Sequence, residues 1–203
     1  MLHARFLLAA AAGLTLTASL ATAQPAPSTR IRGTVEAVDG NNVTIKPRSG
    51  PNVTVRMTDD HVVTGVAKAQ LSDVQPGSYI GTAAVPQPDG TQKALEVTVF
   101  PPAMNGTGEG HFPWDLGSNS TMTNGTVGDL VNANGRTMTV KYKGEEKKIV
   151  VPDDVPIVVL HPGADHALVK AGAHVIVQPT KAADGTLTAN RISVGENGIT
   201  PPM

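Results

Sequence analysis

The chain contains no cysteine. That absence excludes disulfides, thiolate zinc sites, iron–sulfur clusters, thiol nucleophiles and lipid anchoring at a cysteine. An excess of charge of either sign is missing too, with 16 Lys and Arg against 17 Asp and Glu. A basic face for nucleic-acid phosphates, or a polybasic membrane-surface segment, is therefore not expected. Aromatic residues are only 3% of the chain, with one Trp, so stacking platforms for bases are scarce. Beyond the first two dozen residues no stretch approaches about 18 consecutive apolar residues, and the remaining chain cannot insert into a bilayer as helices. What is abundant is Gly (21) and Pro (16), with Val and Thr recurring in short runs. That composition reads as all-β with many turns.

Residues 1–23 have the form of a signal peptide. A short leading region with His3 and Arg5 precedes an apolar stretch from Phe6 to Leu20, and Ala21-Thr22-Ala23 stands before Gln24. Small residues at the first and third positions of that triplet suit signal peptidase, so cleavage after Ala23 and export are expected. The periplasm is the expected destination, with the extracellular medium as the alternative. Residues 24–30 then read as a flexible Pro-rich tail.

An internal repeat organises the rest. Gly33-Thr34-Val35 matches Gly125-Thr126-Val127, and Val43-Thr44-Ile45-Lys46 matches Met138-Thr139-Val140-Lys141. Asp59-Asp60 matches Asp153-Asp154, Val74 and Gly77 match Val169 and Gly172, and Asp89-Gly90-Thr91 matches Asp184-Gly185-Thr186. The division expected is a first β-barrel domain at 31–100, a connector at 101–123, a second β-barrel domain at 124–195 and a C-terminal tail at 196–203.

Within each copy the apolar residues alternate. Val35 and Ala37, Val43 and Ile45, then Val53, Val55 and Met57 are separated by Thr, Glu, Lys and Arg, so one row faces a core and the other faces water. Asp39-Gly40-Asn41-Asn42 and Arg48-Ser49-Gly50-Pro51 are turn clusters joining three strands. A connection from Ala67 to Asp73 is long enough for one helical turn. Strands at about 78–85 and 92–99 flank Asp89-Gly90, a hairpin signal. Three strands, a short helical connection and a closing hairpin give the order of an OB-like barrel, two of them in tandem, with a plain six-stranded barrel or a small sandwich as alternatives.

The pattern G-T-V-x-A-V-D-G-N-x-V-T-I-K, then T-V-x-M-T-D-D, L-S-D-V-Q-P-G and D-G-T-x-x-A, running from Gly33 to Ala94, resembles the bacterial secreted family catalogued as domain of unknown function 5666. The second copy resembles it more loosely. The resemblance implies a small β-barrel domain and carries no activity with it.

Candidate chemistry is sparse. His161 and His166, with Met57, Met104, Met122 or Met138, are the residues from which a soft-metal, copper-type site would be built; surface or structural histidines are the plainer reading. The paired aspartates 59–60 and 153–154 fit calcium-type oxygen donors, or Asp at the start of a turn after a strand. The motifs G-x-S-x-G, H-E-x-x-H and the P-loop are not found. The connector is unlike a plain linker: it holds Phe112 and Trp114 with Glu109, His111 and Asp115, and reads as a clasp packed on the barrels or as an exposed anchor for a ligand or partner. Glu109, His111, Trp114 and Asp115 are the candidate site. The expectation is a non-enzymatic, monomeric envelope binding or scaffold protein. It has no cofactor and no nucleic-acid partner, and its ligand is a protein or envelope component; copper-type metal handling is the alternative.

Overall fold

A computed structural model describes residues 29–131 and 136–202; the expected leader at 1–23 and most of the tail at 24–30 lie outside them. Among the described residues the chain is all-β, as its composition predicts, with four single-turn 3-10 helices and fourteen strands in one hydrogen-bonded sheet. The first segment supplies β1 (Ile31–Asp39), β2 (Asn42–Pro47), β3 (Val53–Lys68), β4 (Tyr79–Pro86), β5 (Gln92–Ala94) and β6 (Val97–Val99). The connector adds β7 (Gly110–Pro113). The second segment supplies β8 (Thr121–Val131), β9 (Thr137–Tyr142), β10 (Glu145–Val150), β11 (Ile157–Pro162), β12 (His174–Val177), β13 (Thr180–Lys181) and β14 (Leu187–Gly195). The helical turn expected before Asp73 is the 3-10 helix Leu71–Asp73.

Local pairing follows the sequence signals. β1, β2 and β3 form an antiparallel meander, as do β8, β9 and β10. The shared Gly-Thr-Val has a steric reason in both copies: a Cβ on Gly33 would stand 2.2 Å from the Lys46 carbonyl oxygen, and one on Gly125 would stand 2.3 Å from that of Lys141. Only glycine lets the neighbouring strand cross this closely. Each of these first strands then bulges, between Val35 and Ala37 in β1 and between Val127 and Leu130 in β8. The two Asp-Gly turns also work alike. Asp89 accepts the Thr91 N–H at 3.0 Å and Asp184 accepts the Thr186 N–H at 2.9 Å, while Gly90 and Gly185 hold φ of +83° and +89°.

Long-range pairing departs from sequence order. β1, β2 and β3 close into a ring with β14, parallel to β3, and with β12, antiparallel to both β14 and β1. β8, β9 and β10 close with β5, parallel to β10, and with β4, antiparallel to β5 and β8. Each ring therefore takes three strands from one repeat and two from the other, and segments 31–100 and 124–195 do not each close on themselves. The physical reason lies in β3, which runs for 16 residues without a turn. Thr58 to His61 loop out as a bulge opposite Asn190, and the strand then continues from Val62, still paired with β14 as far as Val66 but past the end of β2 on its other edge. There it meets β11 antiparallel, Val66 opposite Leu160. An offset of 94, as between the paired aspartates, maps one of these residues onto the other, so equivalent segments face each other at the seam.

Each ring has its own core assembled from both repeats. Val35, Val43, Ile45, Val55, Met57 and Val63 pack with Val175, Val177, Ile192 and Val194 in the first. Ile80, Ala94 and Val97 pack with Val127, Met138, Val140 and Ile149 in the second. Val66, Val158 and Leu160 fill the seam, with Phe100, Met104 and Ile199 against them. No helix among the described residues is long and apolar enough to cross a membrane.

Candidate ligand-binding groove

The connector is built as a hairpin. β7 pairs with β8, Phe112 opposite Met122, and after Pro113 the chain turns in a tight loop. Its Trp114 N–H donates to the Ser120 carbonyl at 2.8 Å, and the Ser120 hydroxyl lies 2.9 Å from the Gly117 carbonyl it can donate to. The hairpin is attached to the second ring through β8, but its tip reaches the first. Arg32 on β1 donates from both terminal nitrogens to Asp115, at 3.1 and 2.7 Å. Arg30 lies 3.4 Å from the same carboxylate, with its guanidinium 3.7 Å from the centre of the Trp114 ring. The Arg32 bond above all, and the charges of both arginines, hold the Asp115 carboxyl below the usual carboxylate range, against the opposing effect of partial burial.

The four candidate residues do not converge. Trp114 and Asp115 sit at the first ring, Trp114 half-buried and tilted against Phe112 at 5.9 Å. Glu109 and His111 stay with the second ring. Glu109 accepts the Lys143 N–H at 2.9 Å, and His111 bonds the Thr123 hydroxyl at 2.8 Å and stacks on Tyr142. Burial first, and the Lys147 charge second, push the His111 pKa down.

Sequence reading missed what Trp114 and Asp115 stand beside. Two clefts adjoin at Arg30. One, of about 410 Å³, is lined by Arg30, Arg32, Arg48 and Asp115 with Ser49. The other, of about 520 Å³, is lined by Arg30, Trp114, Gln178, Asn190, Arg191 and Ser193. Four guanidinium groups thus face one carboxylate in a chain whose overall charge is near zero. The absence of a basic run in the sequence hid this groove, because its arginines come from the start of β1, the end of β2 and the middle of β14. Only Arg30-x-Arg32, alternating around the inward-facing Ile31, was visible as a local signal.

The histidines are also redistributed. His166 lies beside His61, ring centres 4.5 Å apart, and His161 is paired with Glu196 at 2.8 Å. Met57, Met122 and Met138 are core residues, 2% exposed or less. The paired aspartates occupy the β3 bulge and the turn after β10, where Asp153 pairs with Arg136. Among the described residues no group of three or more His, Asp or Glu side chains converges as metal ligands do.

Comparison with family models, with curated proteins and with solved structures finds no match to this chain.

Proposed function

We propose that the chain is an exported, non-enzymatic binding protein of the bacterial envelope, whose two rings are OB-like barrels that have exchanged their last two strands. The resemblance to domain of unknown function 5666 and the leader at 1–23 support export. The order first, second, third, then a parallel fifth and a fourth that returns to the first, found in both rings, supports the OB-like reading. The observation that carries binding is the groove at the hairpin tip. It brings an aromatic ring, guanidinium groups, amides and a hydroxyl to the lining of two adjoining clefts, and these are the groups that fix a ligand's orientation.

Two measurements test this. N-terminal sequencing of protein from the periplasmic fraction should begin at Gln24, and full-length protein retained in the cytosol would refute export. Purified chain should co-sediment with isolated envelope, and Trp114→Ala should reduce the bound fraction. Equal sedimentation of the two proteins would remove the groove from the reading.

A second reading, metal binding, is favoured by one contact, the His61–His166 pair. The His61 Nδ1 bonds the Thr58 carbonyl at 2.7 Å, which places its proton there and leaves Nε2 as the lone-pair nitrogen. Calorimetric titration of untagged protein with copper and zinc decides it: stoichiometric binding tighter than about 1 μM supports a metal role, and absence of heat removes it.

A further inference from the structure

Resting on the binding role above, we infer that the groove takes an acidic polysaccharide, one whose carboxylates are carried on successive sugar rings. The argument starts from charge. Arg30, Arg32, Arg48 and Arg191 line the two adjoining clefts, and Asp115 is the single carboxylate among the lining residues. Asp115 is taken up by the Arg32 fork and the Arg30 guanidinium. Arg48 reaches the Pro201 carbonyl at 3.5 Å, a long contact with a neutral acceptor that leaves its charge uncompensated. Arg191 has no ion pair among the described residues. Positive charge is therefore left at both ends of the groove, and the middle, where Arg30 and Arg32 share the one carboxylate of Asp115, keeps a net positive charge as well.

Shape narrows the ligand. Arg48 follows β2 and Arg191 lies on β14, and the sheet order between them is β2, β1, β12, β14. The two clefts between these ends meet at Arg30 and cross several strands of the ring, which suits an oligomer rather than one sugar. Between those ends stand Trp114, with the Arg30 guanidinium 3.7 Å over its ring, and Gln178, Asn190 and Ser193. The amides and the hydroxyl match the hydroxyl edges of a sugar ring. Guanidinium forks match planar carboxylates two bonds at a time. A nucleic acid would use several stacking rings along its path, and this groove has one.

The test is calorimetric titration of the leaderless chain with a short oligogalacturonate and with the same oligomer fully methyl-esterified. The acid form should bind and weaken as salt is raised, and the ester should not bind. Arg48→Gln with Arg191→Gln together should weaken binding at least ~10-fold, as loss of two charge-assisted contacts requires. Lys148→Gln, an exposed change on the second ring, should leave it unaltered. Melting curves of each variant establish folding, and Arg191→Gln alone, at an exposed position, serves if the double variant does not fold. Four results overturn the inference: equal binding of the ester, no binding of the acid, an unaffected arginine variant, or tighter binding of inorganic polyphosphate or of a single-stranded oligonucleotide. Ester binding that Trp114→Ala abolishes would overturn the acidic ligand while leaving the groove as a binding site.

Discussion

Replacing Glu96 with glutamine would take an ionisable group out of the most enclosed part of the second ring. Glu96 is 0% exposed and sits where β4 changes partner from β5 to β6. Three residues, Leu95 to Val97, oppose two there, so the Ala83 N–H faces a gap in the ladder. The Glu96 carboxylate fills it, accepting the Ala83 N–H at 2.8 Å on one oxygen and the Thr98 hydroxyl at 2.8 Å on the other. No cation pairs with it among the described residues. Burial pushes its pKa up to about 7 from the ordinary 4.5, with the Thr98 and Ala83 bonds pulling partly back. Because the folded value is the higher one, folding favours the protonated form. The contribution is fully present below 4.5 and is lost as pH rises through 7. At 1.36 kcal/mol per pKa unit, the full loss is about 3 kcal/mol. Glu96→Gln keeps an oxygen for Ala83 and reverses the bond to Thr98. The variant should match the parent within about 1 kcal/mol near pH 5 and exceed it by about 2–3 kcal/mol near pH 8. Urea denaturation of both proteins across that range measures the difference, in which every other titrating group cancels. A difference that does not change with pH would refute the assignment of a buried proton to Glu96.

Three further outcomes follow from the pairing and the clasp. Fragments 28–100 and 124–203, expressed separately, should each lack a cooperative melt, and mixing them should restore strand circular dichroism; a cooperative melt of either alone would contradict the exchanged rings. Gly33→Ala forces a Cβ onto the Lys46 carbonyl and should cost about 1–3 kcal/mol by overpacking, read as a lowered urea midpoint, whereas an unchanged midpoint would mean the strands can part. The lowered Asp115 pKa means its pairing is present above the ordinary carboxylate range and lost as pH falls through the lowered value, so Trp114 emission should change on acidification, and Asp115→Asn should give that altered emission at neutral pH; identical spectra would show the ring is held without the carboxylate.

The strands were legible because period-two alternation and Asp-Gly turns are local, and so was the single helical turn before Asp73. The exchange was not legible. β14 and the strand formed by β5 and β6 are repeats of one another, so a sequence has no means of saying which meander each joins. The deciding feature is the unbroken run from Val62 to Lys68, where the absence of a turn mattered more than any residue present. The connector's unusual composition pointed to Trp114 and Asp115, but grouped them with Glu109 and His111 by proximity in sequence. β7 separates them, sending the first two to one ring and the last two to the other. The arginines escaped notice because three distant segments supply them.

The exchanged rings also set the order in which the chain can mature. The outer edge of β1 stays open until β12 arrives, and Val55 waits for Leu187. A growing or translocating chain therefore carries its first meander with bare edges almost to its end. Contacts so distant in sequence close slowly, and open strand edges are the sites at which chains aggregate. The second ring needs nothing beyond Val150 for its five strands. The part of the chain synthesised first is thus completed last, and a truncation anywhere before β14 would leave the early half without its closing strand while the second ring could still form.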